Sequence, residues 1–215
     1  MNRSYEINKY CVIRDNRVFI DGQVVFTGER EEAFSGFIKK GYKHFNLDYP
    51  KFFKMDKISK LGFIAAELLF KNVDLHSDFQ NHEIGIILAN SASSLDTDIG
   101  HQETINDRSD YFPSPAVFVY TLPNIVIGEI CIKNKIMGES AFFVSEKFDE
   151  KFIYNYVIDL LETGKVKCCI TGWVELEGDQ YESVLYLVKK SEVLKGNSIF
   201  EPENIKNIYS IKEIK

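Results

Sequence analysis

The chain has 215 residues, 45% of them apolar and 13% aromatic, enough to bury one substantial core and too hydrophobic for a disordered protein. Its formal net charge of −6 lacks the basic footprint that general nucleic-acid binding requires. The start "MNRSYEINKY" has no apolar signal core and no apolar run reaches spanning length, so the sequence predicts a soluble cytoplasmic protein without a membrane partner.

"YCVIRDNRVFIDGQVVFTG" predicts short strands about a turn at Asp21-Gly22. "EREEAFSGFIKKGY" predicts a short helix ending near Gly41. "MDKISKLGFIAAELLFKN" predicts a stronger one, with Ile58, Leu61, Ala65, Leu68 and Leu69 on one stripe and Asp56 as N-cap. Residues 83 to 89 of "EIGIILANSAS" form an apolar strand that runs into a small-residue loop, and the polar residues 96 to 115 read as a long surface excursion. In "LPNIVIGEICIKNKIMG" a helix begins near Pro123, with Ile127, Ile130 and Cys131 on its apolar face. Then "GESAFFVSEKFDEKF" gives a glycine, a strand over 140–145, a tight polar turn and a helix from about Phe148 to Glu162, with Gly164 as its stop. "VKCCITGWVEL" and "YESVLYLVKK" form a final antiparallel strand pair. Residues 1–190 are expected to form one domain, and 191–215 a polar, loosely attached C-terminal tail.

Strands alternating with helices and ending in an antiparallel pair define an α/β fold: a mixed sheet with helices packed on it, on one face only in the sparest arrangement. A sheet bare on one face would need a partner, so the pattern predicts a dimer. Cys11, Cys131, Cys168 and Cys169 lack CxxC spacing; they read as reduced core residues, with the adjacent pair on opposite strand faces and no metal site. Seven lysines stand between residues 39 and 60 against Asp48 and Asp56, a basic surface in an acidic chain.

The stretch from about Tyr49 to Lys190 resembles the N-terminal half of a β-ketoacyl-acyl-carrier-protein synthase, a condensing enzyme of the thiolase-like fold. "KMDKISKLGFIAAELLF" is similar to the family helix opening on Met-Asp, and "IGIILANSASSLDTD" to its strand and small-residue loop. The most specific block is "SPAVFVYTLPNIVIGEICIKNKIMGES", with Ser-Pro, Leu-Pro-Asn and a glycine four residues on; "TGKVKCCITGWVE" resembles the family's glycine, strand and Gly-Gly-x-Glu. The resemblance implies a thiolase-like half-fold without the C-terminal half, and no cofactor.

In the family a nucleophilic cysteine lies nine residues after the glycine matching Gly138 and seventeen before the one matching Gly164. Both spacings select Lys147, preceded by Ser145-Glu146. A lysine nucleophile has to be held neutral by burial or a cationic neighbour, whereas Glu146, Asp149 and Glu150 favour its ammonium form, and an amide on it would be a dead end for acyl transfer. The family's two catalytic histidines belong to the C-terminal half; here His44, His76, His82 and His101 all precede residue 102, in no family histidine motif. Trp173 stands where the motif has its second glycine, and reads as a core or interface anchor.

The resemblance therefore implies a non-catalytic partner subunit of the chain-length-factor kind, paired with a ketosynthase in fatty acid, polyketide or aryl-polyene synthesis that runs on an acyl carrier protein. Phe118, Tyr120, Leu122, Pro123 and Asn124 are its candidates for the acyl tunnel and dimer interface. Lys51, Lys54, Lys57 and Lys60 are the candidates for docking the acyl carrier protein. The alternatives are a homodimeric module that holds an acyl chain or carrier protein, and an acyltransferase using Ser145 or Lys147.

Overall fold

Seven strands form a single mixed sheet in the computed structural model, which describes residues 4–107, 109, 112–191 and 199–211. Along the chain they are β1 (Ser4–Arg14), β2 (Arg17–Ile20), β3 (Gln23–Thr27), β4 (Ile84–Asn90), β5 (Ser140–Val144), β6 (Cys168–Glu177) and β7 (Gln180–Ser191). In space the order is β3-β2-β1-β7-β6-β4-β5, parallel where β4 meets β5 and β6, and antiparallel elsewhere. The predicted α/β fold and closing antiparallel pair are both present. The first hairpins turn on Asp15-Asn16 and Asp21-Gly22, all four with positive φ, the handedness that matches strand twist. Sequence reading found the second turn and missed the first, so β1 is longer than expected: asparagine tolerates this conformation without the glycine that would have advertised it.

The helices are α1 (Phe34–His44), α2 (Lys57–Phe70), α3 (Leu75–Asp78), α4 (Leu95–Glu103), α5 (Pro115–Val119), α6 (Ile125–Asn134), α7 (Glu150–Glu162) and α8 (Pro202–Tyr209), with a 3-10 turn at Pro50–Lys54. Helix α2 is nearly encased: Ile58, Leu61, Phe63, Ile64, Ala65, Ala66, Leu68 and Leu69 are all buried. Asp56 caps it as predicted, accepting from the Ser59 N–H at 3.0 Å. With α1 and α6 it covers one face of the sheet, in a core that includes Cys11, Ile86, Cys168 and Leu185.

The opposite face is covered as well, so the sparest arrangement, with helices on one side only, is not the one adopted. Ile153, Val157, Leu160 and Leu161 of α7 and Ile205 and Ile208 of α8 bury Val12, Ile87, Cys169, Trp173 and Tyr186. Cys168 and Cys169 thus enter opposite cores. The case for a dimer from a bare sheet face falls with this observation. The supposed loose tail is also corrected over 199–211: Phe200 and Ile205 are buried, and the Tyr186 hydroxyl donates to the Ile205 carbonyl at 2.9 Å. The apolar spacing of Ile205, Ile208 and Tyr209 was diluted by the polar residues around it. Residues 192–198 and 212–215 of that expectation lie outside the described residues. The expected excursion over 96–115 contains most of α4 and the first residue of α5.

Candidate functional site

Parallel pairing of β4 with β5 brings their ends together, from Ile86 opposite Ser140 to Asn90 opposite Val144. Gly138 makes that entry possible, because a Cβ there would stand 2.4 Å from the Ile84 carbonyl oxygen. At the exit, the Ser145 N–H donates to the Asn90 carbonyl at 2.9 Å. Asn90 is fully buried, and its amide holds the following loop through Ser93, accepting from that N–H at 3.0 Å and donating to that carbonyl at 2.8 Å. Glu175 of β6 clamps the same loop: its carboxylate accepts from the Ser91 N–H at 2.6 Å and the Ala92 N–H at 3.2 Å. Asp149 starts α7 by accepting from the N–H groups of Lys151 and Phe152, at 3.0 and 2.9 Å. The glycine, strand, turn and helix read from residues 138 to 152 are all in place, with the helix starting at Glu150 rather than Phe148.

Lys147 is exposed at the apex of this elbow, between exposed Glu146 and buried Phe148. The Ser145 hydroxyl donates to the Lys147 carbonyl at 3.3 Å. The histidines lie elsewhere: His44 packs on Phe26, His76 meets the Asn134 carbonyl, His101 lies against Phe118, and His82 precedes β4 at the end of that strand away from the elbow. The space behind the elbow is filled by rings. Phe148 stacks on Tyr209 of α8, centroids 3.9 Å apart and planes 4° apart, and meets the edge of Trp173 at 6.0 Å. The Tyr209 hydroxyl donates to Glu182 at 2.5 Å, Glu182 pairs with Arg14 at 3.0 Å, and the Arg14 guanidinium lies 5.2 Å above the Tyr209 ring. Burial, and then the bond to Glu182, push the Tyr209 phenol pKa up, so it stays a donor. A nearby cavity lined by Ile58, Ser93, Ser94, Asp96, Thr97 and Leu176 measures only about 10 Å³, room for one water at most.

The apolar candidates divide. Phe118 of α5 and Leu122 beyond it are 58% and 53% exposed, while Tyr120 between them is turned inward and 9% exposed. Asn124 occupies the N-cap of α6 with no side-chain capping bond, next to half-buried Pro123. The Tyr120 hydroxyl donates to Glu129 of α6 at 3.0 Å, and Lys51 reaches the same oxygen at 2.8 Å. Sequence reasoning missed Glu129. Its signal was a lone acid in the apolar run of Val126, Ile127 and Ile130, a position that is costly without a partner. The four lysines also separate. Lys51 is paired with Glu129 and Lys57 with Asp96, both at 2.8 Å. Lys60 is half-buried, and desolvation lowers its pKa, opposed by the charge of Asp56. Among the described residues Lys54 has no ion-pair partner. Nor do these residues gather three or more His, Cys, Asp or Glu side chains into a metal-binding group, and none of their helices is long and apolar enough to cross a membrane.

No family model matches the chain, and no curated protein does. Solved structures do. The ishigamide ketosynthase/chain length factor superposes with a TM-score of 0.61 at 13% identity, over 89% of this chain and 63% of that one. AntDE:AntF, a type II polyketide synthase acyl-carrier protein in complex with its ketosynthase bound to the hexaketide, gives 0.64 at 11% identity, over 89% and 64%. A ketosynthase (ApeO) in complex with its chain length factor (ApeC) from Xenorhabdus doucetiae gives 0.58 at 11% identity, over 96% of this chain and 90% of that one. The chain thus spans less than two thirds of the length of the first two and nearly all of the third. The likeness is one of fold: the mixed sheet with helices on both faces is the α/β fold these ketosynthase and chain length factor structures share over the superposed residues, as the sequence resemblance implied.

Proposed function

We propose that the chain is a non-catalytic, ketosynthase-like partner subunit that pairs with a ketosynthase and shapes the acyl chain it builds on a carrier protein. The observation that carries this reading is the elbow. Its glycine, strand, turn and capped helix persist, while the nucleophile position holds an exposed lysine and the space behind it is packed with Phe148, Trp173 and Tyr209. Such a site presents an ammonium where acyl transfer needs a thiolate, and its rings occupy the space behind that position. The near end-to-end match with a chain of similar length from a ketosynthase and chain length factor complex supports the same reading.

The partner would be met at the outer edge of β5, which pairs only with β4 among the described residues, and at the exposed apolar groups Phe118, Val119, Leu122 and Val144. Lys54, exposed and without an ion pair among the described residues, is the first of the four lysines to test for carrier docking. Co-expression with the cognate ketosynthase is expected to yield a stable complex, and product length is expected to change when the chain is deleted. Incubating the pure chain with acyl-carrier thioester should leave its intact mass unchanged. An acyl adduct on Ser145 or Lys147 would overturn the non-catalytic reading, and failure to form a complex would overturn the pairing.

A further inference from the structure

Helix α5 carries outward-facing apolar side chains but is only five residues long, too short to hold itself in place. Ser114 caps it, accepting from the Val117 N–H at 3.4 Å, yet Pro115, Ala116, Phe118 and Val119 are all exposed. It is hung from the body just beyond its end. The Ser94 hydroxyl donates to the Thr121 carbonyl at 2.6 Å, and the Tyr120 hydroxyl donates to Glu129 Oε1 at 3.0 Å. Glu129 is 4% exposed; the Lys51 ammonium supplies its counter-charge at 2.8 Å, the Tyr49 hydroxyl also interacts with it, and its buried Oε2 has no donor in hydrogen-bond geometry among the described residues.

A buried, half-satisfied carboxylate is a poor way to gain stability, since a well-packed apolar side chain in its place is often neutral or better. What it does supply is direction. A hydroxyl and an ammonium converging on one oxygen fix where Tyr120 sits, and so fix the orientation of the turns on either side that carry Phe118 and Leu122. We infer that Glu129 is a positioning residue for this apolar surface, acting through Tyr120 with Lys51 as its internal counter-ion. The inference rests on the partner-subunit reading for its purpose, but its geometry is testable without a partner. It also withdraws Lys51 from carrier docking, because an acidic partner would have to strip a buried carboxylate of its counter-ion.

The test is amide hydrogen exchange on the purified chain for wild type, Tyr120→Phe, Glu129→Gln and Glu129→Leu. Tyr120→Phe removes only the donor, and Glu129→Leu removes the acceptor. Both are expected to raise exchange over residues 117–122 about tenfold while α2 and the central strands stay at wild-type rates. Glu129→Gln keeps an acceptor for Tyr120 and should stay within about threefold of wild type, a rescue that general loosening of the core would not produce. Unchanged exchange at 117–122 in Tyr120→Phe, or a rise spread evenly over the chain, overturns the inference. Phe118→Ala with Leu122→Ala, which leave the anchor intact, separate the two ideas. They should weaken ketosynthase pairing with exchange at Tyr120 unaltered, and if they do not, the partner reading fails while the positioning role stands.

Discussion

Glu67 lies half-buried on α2, accepting from the Asn134 amide at 2.8 Å. Burial raises its pKa above the ordinary 4.5, opposed by that bond and by Lys133. A carboxyl with a raised folded-state pKa binds its proton more tightly in the native state, so its contribution is full below 4.5 and lost as pH rises through the folded value. Asp56 behaves alike from its ordinary 3.8, again because of burial. Glu67→Gln keeps an acceptor for Asn134 and removes the titration. Between pH 4.5 and neutral, wild type should lose stability with rising pH more steeply than the variant. Urea midpoints at stepped pH decide it, and parallel slopes would refute the assignment. Gly172 makes a blunter case: its φ is +147°, and a Cβ there would stand 2.0 Å from the Val184 carbonyl oxygen. Gly172→Ala should cost more than about 4 kcal/mol, most of the stability of a chain at the low end of the ordinary range of roughly 5–15 kcal/mol, and the urea midpoint should fall accordingly.

At the scale of elements, what the sequence made legible was whatever local chemistry enforces. Asp56 announced α2, Asp21-Gly22 announced a hairpin, and the glycine and apolar spacing of residues 138 to 164 announced the elbow and its helix. What stayed hidden depended on contacts distant in sequence. Helix α8 is short and its neighbours are polar, so nothing local says that Tyr209 reaches Phe148, sixty-one positions earlier, or that Glu182 and Arg14 hold it there. Glu129 was legible only as a lone acid in an apolar run, because Lys51 and Tyr49, which also meet it, come from far upstream of it. The chain's single tryptophan makes the α8 contact measurable, because Trp173 is 3% exposed and edge-on to Phe148. Tyr209→Ala should cost about 3–5 kcal/mol and shift Trp173 emission to the red. Tyr209→Phe, which keeps the ring and loses only the bond to Glu182, should cost about 1–2 kcal/mol and leave the emission unchanged. Equal spectra for the two variants would mean that α8 does not seal the elbow.

For the whole molecule, coverage of both sheet faces moves the question of assembly to the edges. The sheet has two, β3 and β5, and each exposes valine: Val24 at 51% on β3 and Val144 at 55% on β5. They differ in their surroundings. Helix α7 flanks β5 with a half-buried aromatic group, where Phe143 lies 4.8 Å from Phe152 and 5.0 Å from Tyr156. The segment leading into β5 exposes Ile132 and Met137. Strand β3 closes a hairpin with polar Gln23 and Thr27 at its ends and Val24 and Val25 exposed between them, and its Phe26 packs on Phe37, His44 and Phe45. A strand edge bordered by aromatic and aliphatic groups offers a partner both unpaired backbone and desolvation, and β5 adds to these the exposed Ile132 and Met137 on the segment leading into it. On the proposed pairing, Val144→Lys should therefore abolish binding of a ketosynthase, and Val24→Lys should leave it intact. Both sites face solvent in the isolated chain, so each substitution is expected to change stability by less than about 0.5 kcal/mol, or about 2 °C in Tm. Analytical ultracentrifugation of the mixed subunits, with melting curves of each variant alone, distinguishes a lost interface from a lost fold. Pairing that survives Val144→Lys but fails with Val24→Lys would place the interface at the opposite end of the sheet.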